Sequence, residues 1–251
     1  MSKIQWLHSS GCFSLAPQDD SNHRSTLILL HGRGSNAEEF AREFLETQDS
    51  YGQFLYQLLP ETKVVFPEAN VLPSEQMGIG LHQWFDMYST ANPHEHENEQ
   101  LSALLGSANR IVSIIHEEAR IVGYQHIILG GISQGCATAV YALLGLNRQL
   151  GGFVGFAGWL PLPAYTLEQY AQATEALHTP ALLEHCDDDA IIAMRYGEEL
   201  HVNLEALGIK VEWKAYGDGD HWINEPKGFE DFVEFVKTCL HAGSVIPKLD
   251  G

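Results

Sequence analysis

Apolar residues fall along this chain in two kinds of run. Short unbroken blocks suit strands buried on both faces: Thr26 to Leu30 (TLILL), Lys63 to Phe66 (KVVF), Ile127 to Leu129, Gly152 to Ala157 (GFVGFA) and Pro180 to Glu184 (PALLE). Lys210 to Ala215, with alternating Val211 and Trp213, reads as one more strand. Between the blocks the spacing lengthens to the helical period. Its clearest case is Leu101 to Val122, where Leu101, Leu104, Leu105, Ala108, Val112, Ile115, Ala119 and Val122 form one stripe. Further helices are predicted from Ala37 (with Phe40, Phe44 and Leu45 on one side), over Phe54–Leu59, over Leu167–Leu177 and from about Ile192 to Leu207. Pro226 opens a last one that carries Phe229, Phe232, Val233 and Val236 inward. This alternation predicts an α/β fold, a mostly parallel central sheet with helices on both faces. No repeat, low-complexity tract or linker interrupts it. Residues 1–251 therefore read as a single domain, its core over about 25–242 and its terminal extensions short.

Two stretches break the pattern. Glu68 to about Tyr88 is irregular, with prolines, glycines and a Trp84-Phe85-Asp86 cluster, and a loop that long in a compact domain usually binds something. Ala91 to Glu99 (ANPHEHENE) is polar and acidic, a loop tip or the edge of a lid.

Composition narrows the partners. The chain holds 14 Lys+Arg against 33 Asp+Glu, a formal charge of −19, which repels nucleic acid and anionic headgroups. No apolar run approaches a membrane span, and the first residues lack the basic-then-apolar shape of a secretory signal. Cys12, Cys136, Cys186 and Cys239 are scattered without CxxC spacing and read as reduced residues. A cytoplasmic protein without stable membrane insertion is the expectation.

The candidate chemistry centres on His126 to Ala142, HIILGGISQGCATAVYA. An apolar block ends in Gly131-Ile132-Ser133-Gln134-Gly135, and a second apolar run with small residues at its start follows. That is strand, sharp turn and helix with a serine at the apex, which pushes the hydroxyl out at the end of a sheet. The alternative is a glycine-rich turn whose serine caps the helix. In an open parallel sheet, reactive groups gather at the carboxyl ends of strands. Such ends here carry Arg33, Ser133, the run Asp187-Asp188-Asp189, and His221. A serine needs a histidine to take its proton and a carboxylate to hold that histidine's tautomer. The chain order serine, acid, histidine is that of an α/β hydrolase, with any of the three aspartates as the acid.

On LLHGRGSN, QWFDM, HIILGGISQG, GWLPL, HCDDDAII and GDHW, in that order, the sequence resembles the phospholipase/carboxylesterase family of α/β hydrolases, whose members include acyl-protein thioesterases. The likeness runs from about Leu27 to the final helix. It implies the α/β-hydrolase fold, Ser133 as nucleophile, His221 as base and Asp189 as acid. Cys186 and Ile192 stand where the family's Gly-x-x-Asp-x-x-Val frame has Gly and Val; Asp187 and Asp188 remain alternatives. It implies an oxyanion hole from the backbone N–H groups of Arg33 and Gln134. It also implies that Trp84, Phe85, Trp159 and Leu160 line the substrate pocket. Arg33 stands where the family usually has leucine. Its side chain is expected either to favour an anionic or polar substrate group or to snorkel into water.

The reaction implied is hydrolysis of carboxylic esters or acyl-thioesters through an acyl-enzyme, on small esters, thioesters or S-acylated proteins. It needs no cofactor and no metal. His94 and His96 of HEHE invite only adventitious metal binding. Cys136 reads as core rather than nucleophile. A lysophospholipase variant of the chemistry, a binding module on a hydrolase scaffold and a metal-dependent hydrolase built on the aspartate run stay open beside it. Apolar rim residues such as Trp159 and Leu160 leave a homodimer open as well.

Overall fold

The structure is a computed structural model that describes residues 5–9, 11–18, 22–161 and 175–243. Its strands are β1 (Trp6–Ser9), β2 (Cys12–Leu15), β3 (Ser25–Leu30), β4 (Thr62–Pro67), β5 (Val71–Ser74), β6 (Ile79–His82), β7 (Ile127–Ile132), β8 (Gly152–Phe156), β9 (Ala181–Cys186) and β10 (Val211–Tyr216). The helices are α1 (Ala37–Glu46), α2 (Leu55–Leu58), α3 (Glu97–Val122), α4 (Gln134–Gly145), α5 (Met194–Ala206) and α6 (Lys227–Gly243). Eight strands form one sheet in the order β1-β2-β4-β3-β7-β8-β9-β10. From β4 to β10 every neighbour is parallel, while β1 and β2 join the edge antiparallel. This is the mostly parallel central sheet that the alternation of blocks and stripes predicts, in the α/β-hydrolase fold that the resemblance implies.

The unbroken apolar blocks hide a period of two. In β3, Leu27 and Leu29 pack with Phe40, Phe44, Phe229 and Phe232 of α1 and α6. Ile28 and Leu30 face the opposite layer, with Leu104, Ile111 and Ile115 of α3 and Val140 of α4. Both faces are covered, so neither register position can be polar. Helix α4 is buried along its length from Gln134 to Leu144 because it lies between the sheet and α3. Full burial of one such Leu or Ile contributes roughly 1.5–3 kcal/mol, so the two layers hold the strand ends firmly in place.

Three differences from the sequence pattern have physical reasons. The buried face of α3 is Gln100, Leu104, Ala108, Ile111, Ile115 and Glu118, whereas Leu101, Leu105, Val112, Ala119 and Val122 flank it half-buried. Glu118 can be buried because Thr26 Oγ1 donates to it at 3.0 Å and Lys63 Nζ lies 2.5 Å away. The irregular stretch after Glu68 contains the β5–β6 hairpin, which carries Pro73 and is largely exposed, so no hydrophobic alternation marks it. The β1–β2 hairpin was equally unmarked. The helix expected over Leu167–Leu177 lies outside the described residues except at its end, where a short 3-10 turn spans Ala176–His178.

Candidate active site

Ser133 sits between β7 and α4 with φ 56° and ψ −124°, a conformation that costs a serine on the order of 1–3 kcal/mol. Its neighbours make the turn possible. A Cβ on Gly135 would run into the Leu30 carbonyl and come within 2.6 Å of that of His31. One on Gly131 would lie 2.7 Å from the Gly135 backbone. Only glycines let β7, β3 and α4 approach so closely. The Ser133 N–H donates to Phe156 O at 2.9 Å, while its side chain makes no helix-capping hydrogen bond. The capping alternative therefore fails, and the hydroxyl is left for the cleft.

That cleft, about 330 Å³, is bordered among the described residues by Ser133, His221, the Gly32–Ser35 turn, Glu43, Thr90 and a set of apolar side chains. The apolar wall consists of Phe40, Met77, Leu81, Met87, Ile132, Ile191, Ile192 and Trp222. His221 Nδ1 stands 2.7 Å from Asp189 Oδ2. Asp189 Oδ1 accepts from the backbone N–H groups of Ile191 and Ile192, each at 2.8 Å. His185, buried behind the pair, donates from Nε2 to Ile192 O at 2.8 Å and lies 3.2 Å from Asp189 Oδ2. Burial pushes the Asp189 carboxyl upward, but the hydrogen bonds from His185, His221 and the Ile192 N–H outweigh it and hold it well below the usual carboxylate range.

The other two aspartates differ. Asp187 and Asp188 are both exposed, yet Asp188 Oδ1 accepts the Asp220 N–H at 2.8 Å and so anchors the loop that presents His221. Asn224 ties the same loop to α6, donating to Asp218 and accepting from the Gly228 N–H at 3.0 Å. The Asp188 contact left no mark in the sequence, because it joins the ends of two separate strands.

Arg33 departs from one of its two expectations. Its side chain is only 12% exposed and is held in place, so it does not snorkel. Nε donates to Gln83 Oε1 and Nη2 to Ser74 Oγ, both at 2.8 Å, and Nη2 lies 3.3 Å from Asp86 Oδ1. The cation borders the cleft with its charge paired to Asp86. Gln134 is fully buried; its amide accepts from the Trp84 N–H at 2.9 Å and donates to Phe85 O at 2.7 Å. As the first residue of α4, it presents an N–H with no intrahelical partner beside Ser133.

Trp84, Phe85, Trp159 and Leu160 are all 1% exposed or less and are not among the described residues that border the cleft. They lie behind it. Trp84 Nε1 donates to His31 O at 2.8 Å, and the Phe85 and Trp159 rings meet edge-on at 6.3 Å. Aromatic rings beside a glycine turn fill the volume that the small residues leave, which is why they serve as backing rather than lining. His31 belongs to this backing; burial pushes its imidazole down to about 4, and as a neutral ring it accepts the Ala69 N–H at 3.0 Å. Burial likewise pushes the Cys136 thiol up to about 12, an unreactive core residue. His94 pairs with Glu97 and Glu199, and His96 with Glu95 and Glu99. No helix among the described residues is long and apolar enough to cross a membrane.

A family model described as Phospholipase/Carboxylesterase matches residues 13–240. Acyl-protein thioesterase 1 of Yarrowia lipolytica is 30% identical over 218 residues, 85% of this chain and 90% of its own. A probable carboxylesterase, SOBER1-like, of Arabidopsis thaliana is 30% identical over 210 residues, covering 82% of this chain and 75% of its own. Among solved structures, acyl-protein thioesterase 2 of Zea mays superposes with a TM-score of 0.74 at 23% identity, over 91% of this chain and 98% of that one. Arabidopsis thaliana SOBER1 gives 0.73 at 24%, over 86% and 99%. At those identities the superpositions speak for the fold.

Proposed function

The chain belongs to the phospholipase/carboxylesterase family of α/β hydrolases and is an ester or thioester hydrolase; we propose that it works through Ser133, His221 and Asp189 by way of an acyl-enzyme. One observation carries the reading. A serine held in a strained turn opens onto the same cleft as a histidine whose far nitrogen is bonded at 2.7 Å to a buried, ionised aspartate. Ser133 Oγ attacks the acyl carbonyl carbon while His221 Nε2 takes its proton. The oxygen that becomes negative is held by the backbone N–H groups of Arg33 and Gln134. Collapse expels the thiolate or alkoxide, which leaves with the proton from His221. Water then attacks the acyl-enzyme, giving its own proton to His221 and releasing the carboxylic acid and the free serine. Asp189 stays ionised throughout and keeps the Nδ1–H tautomer in place.

The apolar wall around Ser133 favours an acyl chain there, and the pairing of Arg33 with Asp86 weakens the cation that argued against it. An S-acylated protein whose acyl group enters the cleft is the substrate class that fits this lining, in keeping with the thioesterase relatives. The test is labelling with a fluorophosphonate, followed by hydrolysis of matched p-nitrophenyl esters and acyl-thioesters of increasing length. Labelling and turnover in the wild type, both lost in Ser133→Ala, are expected. Turnover that survives Ser133→Ala would overturn the serine mechanism. A profile that rises with chain length and favours thioesters supports the S-acylated substrate, whereas activity confined to the shortest oxygen esters would argue against it.

A further inference from the structure

Arg33 and Gln134 lie far apart in the chain, yet their side chains close on the same four residues, Gln83 to Asp86. Gln134 grips the backbone of that segment at the Trp84 N–H and the Phe85 carbonyl. Arg33 grips its two ends, bonding to the Gln83 amide and pairing with Asp86. Gln83 is itself fully buried, its Nε2 donating to Pro73 O at 3.1 Å, so the amide oxygen facing Arg33 has little freedom. A backbone bond from the Gly34 N–H to His82 O, 2.8 Å long, continues the seam. The turn after β3 and the start of α4 are thus measured against one common piece of chain.

We propose that the Arg33 side chain is a positioning residue for the reaction: with Gln134 it clamps the Gln83–Asp86 segment and so sets the separation of the two backbone N–H groups that receive the oxyanion. This deepens the proposed function and rests on it. The physical need is geometric. Two N–H donors must point at one oxygen at about 2.7–3.1 Å, and a shift of either donor weakens the transition state more than the bound substrate. A turn containing Gly32 and Gly34 does not hold such a geometry unaided. A planar guanidinium with donors fixed in a fork does, because it constrains direction as well as distance.

The test compares p-nitrophenyl butyrate with its thionoester, in which sulfur replaces the carbonyl oxygen. Sulfur sits further from carbon and is a poorer acceptor, so an accurate oxyanion hole favours the oxygen ester and a loosened one favours it less. In Arg33→Leu, which keeps the backbone N–H, kcat on the oxygen ester should fall about tenfold with KM within about twofold. The oxygen-to-sulfur preference should fall with it, Arg33→Lys should recover part of the loss, and Asp86→Asn should show a smaller change in the same direction. A folded Arg33→Leu with an unchanged preference would overturn the proposal, as would a raised KM with kcat intact. If Arg33→Leu fails to fold, the preference measured in Asp86→Asn decides in the same way. A wild type without Ser133-dependent turnover would instead sink the serine mechanism and this proposal together.

Discussion

Two acidic side chains from neighbouring positions on the chain meet opposite fates. Glu184 lies inside β9, and Asp189 lies in the turn that follows it. Their exposures are alike, 4% and 7%. Asp189 is surrounded by donors and is held ionised well below the usual range. Glu184 has no such set of donors: the Tyr216 hydroxyl, a donor beside it that lowers its carboxyl, donates at 2.9 Å to Asp231 instead of closing a well-formed bond to Glu184. Burial, with the charge of Asp231 added, pushes the Glu184 carboxyl well up. The difference teaches that burial alone does not set a charge state. Within a central strand the backbone N–H groups are committed to the ladder, whereas past its carboxyl end they are free, and Asp189 collects two of them. The end of β9 can therefore hold an anion that its middle cannot.

The comparison breaks most visibly in catalysis. Asp189→Asn should lower kcat by about 10³–10⁴ with little change in KM, because the histidine loses its tautomer and its counter-charge. Steady-state kinetics on a short p-nitrophenyl ester measures it; an equal loss in Glu184→Gln would erase the distinction between the two sites.

The second contrast is in stability against pH. Asp189 is depressed in the folded state, so its contribution is present above about pH 4 and is lost as the pH falls below it. Glu184 is raised, so the folded state binds the extra proton and stability is eroded as the pH climbs above about 4.5. Glu184→Gln should remove that erosion. Urea midpoints should show a gain of about 1–2 kcal/mol at pH 8, shrinking toward pH 4, with kcat within about twofold of the wild type. A midpoint difference that does not vary with pH would show Glu184 to be ordinary.

The smallest effect sharpens the picture of the anion. Replacing His185 with Gln should cost kcat a few-fold, about 1 kcal/mol, because one of several donors around Asp189 is changed while the pair with His221 stays. A loss as large as that of Asp189→Asn would mean that His185, and not His221, is the partner that matters.

Parts of this were plain in the chain and parts were not. HIILGGISQG announces a strand, an apex serine and a helix, because each of those signals is carried by neighbours in sequence. Ser74 carries no such mark, and Gln83 and Asp86 stand in QWFDM without a role, because their shared partner, Arg33, lies many residues upstream. His185 stood in the HCDDDAII motif without a role, since its approach to Asp189 depends on how the turn after β9 folds back. Trp84, Phe85, Trp159 and Leu160 read as pocket residues because they adjoin the motifs, yet adjacency in sequence does not say which side of the serine a ring will occupy.

By itself, then, the sequence determined the order of the six parallel strands and of the main helices, the burial of both sheet faces and the residue types gathered at the strand ends. Those properties are local: a period of two, a period near 3.6, and glycines where no Cβ fits. Only the tertiary structure decided which aspartate meets His221, that the Arg33 side chain is bonded to the β5–β6 hairpin and the segment after it, and that a glutamate in mid-strand lacks the donors that Asp189 has. Such outcomes turn on distances of a few ångströms between elements far apart in the chain, and no local pattern encodes them.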